Sequence, residues 1–233
     1  MKLHRFYVGA DTELTQIMWV RDSDLLHQWG RVLRYRVSDE LVLFDGVRHD
    51  RLYKILSIDK QQVHLELVTQ LERNLPHQNI YLAWSLLKKD KNDWVLQKAT
   101  ELGVNHLVPI LADRSEKTGF NADRARKIII EASEQCGRSN IPSIREPVHV
   151  ETLFGEFGDS VHWLVAEQGS PSHDNLLGAD RPGVVLVGPE GGWTEAEKSF
   201  FADKHTTYIH LSPFTLRAET AAIIAVSLLG RSS

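Results

Sequence analysis

Two short stretches near the C-terminus constrain the fold of this chain most strongly. Residues 187–193 read Val-Gly-Pro-Glu-Gly-Gly-Trp, and residues 211–220 read Leu-Ser-Pro-Phe-Thr-Leu-Arg-Ala-Glu-Thr. Each follows an apolar β-like run and precedes a predicted helix. A strand that turns into a helix through Gly and Pro leaves backbone N–H groups directed at open space, where many α/β proteins hold a cofactor. The two stretches therefore predict a ligand site at the ends of buried strands.

The glycine pattern excludes the two commonest phosphate-binding loops. Gly188, Gly191 and Gly192 do not fit the G-x-G-x-x-G fingerprint of dinucleotide-binding proteins, and no G-K-[ST] follows them. A nucleotide-dependent oxidoreductase is thereby disfavoured, and we expect a ligand other than a pyrophosphate.

The surrounding sequence predicts an α/β domain with a mostly parallel sheet. From Asn79 onward, apolar runs alternate with amphipathic segments, which is the pattern of βαβ units. The residues before this point are rich in alternating strand patterns, and a small antiparallel barrel of this size is a common RNA-binding architecture. A polar segment with a proline at 71–78 predicts the linker. Strands are predicted at 40–46, 51–58, 62–68, 80–84, 106–111, 161–166, 184–187 and 208–211, and helices at 24–29, 93–102, 121–135 and 217–229, with a capping box at Thr194 and Glu197.

Composition limits the location and the chemistry. The 233 residues include a single cysteine, Cys136, no run of membrane-span length and no signal-peptide pattern at the N-terminus, so we expect a cytoplasmic protein. The eleven histidines lack metal-ligand spacing, and no metal is predicted. Net charge is −4, yet residues 73–145 hold 12 Lys/Arg against 8 Asp/Glu, whereas residues 146–233 hold 5 against 12. Such asymmetry fits an anion-binding face, and equally an ordinary solvated surface.

Six motifs occur along the chain in one order. They are Arg-Phe-Tyr at 5–7, Gly-Arg-Val-Leu-Arg at 30–34, the segment at 93–104, Glu-Gln-Cys-Gly-Arg at 134–138, Gly-Pro-Glu-Gly-Gly at 188–192 and Leu-Arg-Ala-Glu-Thr-Ala at 216–221. Together they resemble the bacterial 16S ribosomal RNA uracil-N3 methyltransferases, a family of the SPOUT (α/β-knot) superfamily. The resemblance covers essentially the whole chain and departs from the family pattern at Ser212 and Phe214, where a Gly-Pro-Arg sequence is usual.

The resemblance implies an architecture and an activity. Residues 1–72 would form a PUA-like RNA-binding β-barrel, and residues 78–233 a trefoil-knotted SPOUT methyltransferase domain. The protein would act as a homodimer in rRNA processing and ribosome biogenesis. It would use S-adenosyl-L-methionine to methylate N3 of one uridine near the decoding region of 16S rRNA, free or in the small ribosomal subunit.

The resemblance also implies a cofactor site made from the stretches at 187–193 and 211–220 and the strand end near residue 166. Small residues in the glycine loop would let the backbone approach the adenosyl group, because a Cβ would collide there. The implied cofactor-binding residues are Ala166, Glu167, Val187, Gly188, Pro189, Glu190, Gly191, Gly192, Leu211, Ser212, Leu216 and Thr220.

Two residues are candidates for the chemistry. Arg217 offers a planar, permanently charged fork to the uracil carbonyl oxygens, although it could instead pair with Glu219 or Glu190 at a helix start. Glu190 is a candidate general base only if burial raises its pKa, and it could instead cap a helix or hold a loop.

Basic residues distributed along the chain are candidate RNA-phosphate contacts, although each could be an ordinary surface charge. Tyr7 and Trp29 could stack on bases, whereas Trp84 within a strand is better explained by core packing. The candidate phosphate contacts are Arg5, Arg31, Arg34, Lys88, Lys98 and Arg138, with Arg36 beside them.

Two other functions remain open from the sequence. The same fold could methylate a ribose 2′-hydroxyl, and a non-catalytic RNA-binding protein could retain the fold without the activity. Nucleoside mass spectrometry separates base from ribose methylation, and calorimetry with S-adenosylmethionine separates an enzyme from a binding protein.

Overall fold

The computed structural model describes residues 3–115, 119–170 and 181–230. The described residues up to Leu75 form one compact unit together with Ser133–Ile141, and the remaining described residues form a second. No sequence pattern predicted that Ser133–Ile141 belongs to the first unit. The proposed domain limits, 1–72 and 78–233, stay a prediction.

The first unit is built on a curled five-stranded sheet. Its elements are β1 (Arg5–Tyr7), β2 (Ile17–Val20), α1 (Ser23–His27), a π-helical turn (Gln28–Val32), β3 (Glu40–Phe44), β4 (Asp50–Ile58) and β5 (Val63–Leu71). The strand order is β1-β3-β4-β5-β2, with β1 parallel to β3 and the other pairs antiparallel. Two register shifts where β4 pairs with β5 bend the sheet. Because β1 and β2 are edge strands in the described residues, the sheet is a half-barrel rather than a closed barrel.

Aromatic and aliphatic side chains fill the concave side of this sheet. Trp29 and Tyr53 are fully buried, and the Phe6 ring meets the Trp29 ring edge-on at a centroid distance of 5.2 Å. The core forms because inward residues alternate with outward ones along each strand. Trp29 is therefore a core residue and does not reach a base.

The second unit contains a sheet in which every pair is parallel. The strands are β6 (Ile80–Ser85), β7 (His106–Leu111), β8 (Ser143–Ile144), β9 (Val148–His149), β10 (His162–Ala166), β11 (Gly183–Val187) and β12 (Thr207–Ile209); the helices are α2 (Lys89–Glu101), α3 (Ala122–Cys136), α4 (Val150–Phe157), α5 (Glu195–Asp203) and α6 (Ala218–Leu229). The strand order is β12-β10-β11-β6-β7-β8, and β9 also pairs with β7. All five residues of β11 are buried, as expected for a strand covered on both faces. The prediction of a mostly parallel α/β sheet is confirmed.

The predicted helix caps are present. The Thr194 hydroxyl accepts from the Glu197 backbone N–H, and the Glu197 carboxylate accepts from the Thr194 N–H at 2.7 Å, which completes the capping box. The Asn121 side chain accepts from the Arg124 N–H at 2.9 Å at the start of α3. These bonds fix the first turns of α5 and α3.

Helix α2 begins at Lys89, four residues before the predicted start. Its first turn is polar, so the apolar periodicity gives no indication of it. Asn92 in that turn is buried, where its Oδ1 accepts from Trp84 Nε1 at 3.0 Å and from the Leu87 N–H at 3.1 Å. A buried asparagine with these partners holds the turn in place. Trp84 is buried, as core packing predicted.

No helix in the described part of the chain is long and apolar enough to span a membrane. Among the same residues, no group of three or more His, Cys, Asp or Glu side chains is arranged to hold a metal ion.

Candidate functional site

Three parallel strands of the second unit end at the same level. Ala166, the last residue of β10, lies opposite Val187 at the end of β11 and opposite Ile209 at the end of β12. Because carboxyl ends of parallel strands meet at one edge of a sheet, the three following loops converge there. They enclose a cavity of about 240 Å³. The stretches at 187–193 and 211–220 form two of its walls.

The structure brings most of the predicted cofactor residues to this cavity. Ten of the twelve line it, and Gly191 and Thr220 do not. Seven further residues line the cavity that were not among the predicted cofactor contacts. Five of them lie in the same three loops as predicted ones, and the other two lie in the first turn of α6, so the convergence of strand ends was the signal that could have found most of them. They are Gln168, Trp193, His210, Phe214, Thr215, Ala218 and Ala221.

The glycine at 188 is required by a tryptophan of the same loop. A Cβ on Gly188 would lie 2.9 Å from Cε2 of Trp193, closer than real Cβ contacts. Trp193 is 3% exposed, and its indole N–H has no hydrogen-bond partner among the described residues. The indole packed against Gly188 is a physical reason for glycine that the sequence did not reveal, and the close approach of a ligand to this loop stays a prediction. Gly192, at φ +67°, instead closes a turn onto the Pro189 carbonyl.

A lysine joins the glycine loop to helix α6. Lys91 Nζ lies 2.9 Å from Glu190 Oε1 and 3.2 Å from Glu219 Oε2, and Glu219 is buried. The hydrogen bond to Glu190 and then the ion pair with Glu219 raise the pKa of Lys91. Lys91 lies in the polar first turn of α2. Because the sequence predicted that this helix starts at residue 93, Lys91 was not predicted to contact the glycine loop.

Glu190 has a pKa below its ordinary value. Partial burial by itself raises this pKa. The hydrogen bond from Lys91 and the charges of Lys91 and Lys88 lower it by more, so the net change is downward. The side chain is 41% exposed. The lowered pKa of Glu190 is the opposite of the raised pKa that a general base requires. The contact that the structure shows for Glu190 is its ion pair with Lys91.

Arg217 is not among the residues that line the cavity, but it stands between two that are, Leu216 and Ala218. It is the N-cap residue of α6, and it is exposed. In the described part of the chain Arg217 forms no ion pair, because Glu190 and Glu219 pair with Lys91. No acidic partner among those residues therefore holds its guanidinium away from a ligand beside the cavity.

Comparison with known proteins identifies the family. A family model for the RNA methyltransferase domain matches residues 73–230, and one for the RNA methyltransferase PUA domain matches residues 30–68. The chain is 32% identical to Ribosomal RNA small subunit methyltransferase E of Aquifex aeolicus over 235 residues, which cover 97% of this chain and 99% of the relative. The chain belongs to the ribosomal RNA small subunit methyltransferase E family. The match of a PUA domain also agrees with the half-barrel of the first unit.

Solved structures of similar proteins carry a bound cofactor. Ribosomal RNA small subunit methyltransferase E from Neisseria gonorrhoeae, bound to S-adenosyl methionine, superposes with a TM-score of 0.89 at 25% identity, covering 97% of this chain and 96% of that one. A Legionella pneumophila protein in complex with the same cofactor superposes with a TM-score of 0.84 at 26% identity, covering 98% and 97%.

Two arginines proposed as RNA contacts in this methyltransferase E family member are engaged inside the first unit. Arg5 pairs with the buried Asp50, and its guanidinium lies 5.0 Å from the centre of the Phe44 ring. Arg138 is 4% exposed, and burial lowers its pKa to about 10. Arg138 is buried, whereas the Arg5 side chain is 16% exposed but engaged by Asp50, so we assign both to the packing of this unit.

The other proposed RNA contacts differ in exposure. Lys98 Nζ lies 2.9 Å from both carboxylate oxygens of Glu101, a neighbour on α2. Arg31, Arg34 and Lys88 are exposed. Exposed cations can reach a phosphate without losing an internal partner, which favours these three as RNA contacts.

Proposed function

We propose that this protein transfers a methyl group from S-adenosylmethionine to N3 of a uridine near the decoding region of 16S rRNA, acting in the cytoplasm as a homodimer. The observation that carries the proposal is the convergence of three strand-end loops on one cavity, in a fold shared with cofactor-bound relatives. The trefoil knot of residues 78–233 is part of the proposal.

The cavity fits the cofactor chemically. More of its lining surface is apolar than polar, which suits an adenosyl group with polar edges, and the unpartnered indole N–H of Trp193 is a buried donor among the residues that line it. Gly188, Pro189, Leu211, Ser212 and Leu216 would hold the cofactor. When bound, S-adenosylmethionine supplies an electrophilic methyl group.

Arg217 would act on the uracil ring. The N3 proton would pass to solvent water, since Glu190 is engaged by Lys91, and its loss places negative charge on the flanking O2 and O4 oxygens. A guanidinium beside the cavity can donate hydrogen bonds to these oxygens and offset that charge. A neighbouring cation also favours the deprotonated form, so Arg217 would lower the pKa of the uracil N3 group. Hydrogen bonds from Arg217 to the uracil oxygens would also orient the ring so that N3 is in line with the methyl donor.

Glu190 and Lys91 would keep the site assembled. Lys91 links the loop after β11 to α6, the helix that Arg217 caps. A fixed distance between these two elements sets the distance between the cofactor loop and the uracil contact. We therefore propose Glu190 and Lys91 as positioning residues rather than proton acceptors.

Calorimetry and labelled methyl transfer test the proposal. We expect S-adenosylmethionine to bind, and label from its methyl group to enter 16S rRNA in unmodified small ribosomal subunits. The control substrate is large-subunit rRNA, which should remain unlabelled. If the protein binds the cofactor but transfers no methyl group to any rRNA, it is a binding protein and the proposed activity is wrong.

A further inference from the structure

An exposed aromatic ring stands at the rim of the cofactor cavity. Phe214 lines the cavity and is 77% exposed, the highest value among the large hydrophobic residues in the described part of the chain. Single exposed apolar side chains are common on protein surfaces, so exposure alone assigns no role. What distinguishes Phe214 is its place beside the cavity in which methyl transfer is proposed.

The loop that carries Phe214 is held in place by hydrogen bonds on both sides of this residue. The Phe214 N–H donates to Ser212 Oγ at 3.1 Å, and Thr215 Oγ1 donates to Gln168 Oε1 at 3.1 Å. The second bond joins the loop after β12 to the loop after β10. Because the loop is already fixed, little conformational freedom is lost when a ligand covers the ring.

The cavity has a buried inner wall and an exposed rim. Val187, Trp193 and Ala218 line the inner wall and are buried. Phe214 on the rim and Arg217 beside the cavity are both exposed. The Cα atoms of these two residues, three positions apart, lie within about 11 Å, so one base can contact both side chains. The inner wall therefore suits the cofactor, and the rim suits the base that receives the methyl group.

Methylation at N3 leaves both faces of a uracil ring free for stacking. The lone pair on N3 after loss of the proton lies in the plane of the ring, so the methyl group approaches within that plane. The O2 and O4 oxygens that Arg217 would contact lie in the same plane. Enzymes that act on a single base commonly bind it by stacking against aromatic or apolar side chains.

We propose that Phe214 stacks on the target uracil, while Arg217 contacts the edge of the same ring. The identity of the base rests on the proposed function. A stacked phenyl ring restricts the uracil to one plane and so keeps N3 directed at the methyl donor. Arginine is usual at this position in the family, so the stacking contact belongs to this chain's own sequence.

The test measures two quantities with unmodified small ribosomal subunits. One is methyl transfer, and the other is binding in the presence of S-adenosylhomocysteine, which fills the cofactor cavity but has no methyl group to transfer. We expect Phe214→Ala to lower kcat/KM and to raise the Kd for subunits about ten-fold each, as loss of one base stack does. The Kd for S-adenosylmethionine should stay within about two-fold, because the ring contacts the base and not the cofactor.

Conservative variants separate stacking from simple apolar cover. Phe214→Tyr should keep wild-type kcat/KM and subunit affinity, because its ring is also flat. Phe214→Leu should behave like Phe214→Ala, because a leucine side chain is apolar but presents no flat face. Trp94→Ala is the matched control and should change neither quantity, since Trp94 is an aromatic residue of the same unit, 43% exposed, that does not line the cavity.

Three results would overturn the stack. Wild-type transfer and binding in folded Phe214→Leu would reduce the ring to apolar cover. Weaker S-adenosylmethionine binding in Phe214→Ala would assign the ring to the cofactor, and a shift to monomer in sedimentation would assign it to a contact between two copies of the chain. Thermal unfolding of each variant checks the fold, and if Phe214→Ala unfolds, Phe214→Leu and Phe214→Tyr still decide the outcome.

The same measurements separate the stack from the proposed function. Full methylation by every Phe214 variant would refute the stack and leave the proposed function standing. Weaker subunit binding by Phe214→Ala and Phe214→Leu, in a protein whose wild type transfers no methyl group, would retain the stack and refute the proposed function. A wild type that neither binds nor methylates subunits would refute both.

Discussion

Arg217 is the residue on which the proposed chemistry depends most. It stands between two residues that line the cavity, with its charge unpaired in the described residues. We predict that Arg217→Ala lowers kcat about 100-fold, as loss of one charge-stabilising donor does, while the Kd for S-adenosylmethionine stays within about two-fold. Single-turnover methylation and calorimetry measure the two quantities. Transfer at nearly the wild-type rate would exclude a role for Arg217.

Gly188 should matter through its packing against Trp193. A methyl group at this position would lie 2.9 Å from the indole, so Gly188→Ala should destabilise the fold by about 1–3 kcal/mol and weaken cofactor binding. Chemical denaturation measures the first effect. Gly155→Ala is the matched control, because a Cβ there meets nothing within 4 Å and alanine favours the helix in which it lies. Equal stability of both variants would contradict the packing argument.

At the scale of helices and strands, the sequence predicted contacts between residues that are close in the chain, such as helix caps. It did not predict contacts between residues that are far apart in the chain. The capping box at Thr194 and the start of α3 at Asn121 follow from side chains within three residues, so the sequence was enough to predict them. The ion pairs of Lys91 join residues about a hundred positions apart, and no periodicity reports such a contact. For the same reason, the sequence supported Glu190 as a candidate base until its partner was known.

The link between Glu190 and Lys91 has a pH dependence with a definite sign. Because the pKa of Glu190 is lowered in the folded protein, its contribution to stability is present above the ordinary glutamate pKa of about 4.3 and is lost as pH falls through the lowered value. We predict that the melting temperatures of the wild type and Glu190→Gln differ at pH 7 and converge in acid. The difference is small, since the side chain is partly exposed.

The same variant distinguishes an anchor from a base. Glu190→Gln should retain the wild-type dependence of rate on pH, because a positioning residue takes no proton. Lys91→Met should lower the melting temperature, since it leaves the buried Glu219 carboxylate without its partner, and adding Glu219→Gln should restore part of it. If the rate of Glu190→Gln no longer rises with pH as the wild-type rate does, Glu190 acts as a general base and not as an anchor.

For the molecule as a whole, the sequence predicted the parallel sheet and the position of the cavity, because both follow from apolar runs that end in Gly and Pro. It did not predict that Ser133–Ile141 belongs to the first unit. That packing depends on contacts such as Ser139 Oγ to Asp50 and the Tyr7 N–H to Glu134 at 2.8 Å, which join segments more than 80 positions apart. Arg5 and Arg138, expected at an RNA surface, are held in this packing instead.

The central claim is that the cavity methylates a uracil base at N3. The most direct measurement incubates the purified protein and S-adenosylmethionine with small ribosomal subunits from a strain that lacks this modification, then identifies the product by nucleoside mass spectrometry. We predict one N3-methyluridine in 16S rRNA, near the decoding region, and none with Arg217→Ala. A 2′-O-methylated ribose, or methylation at another base, would contradict the claim.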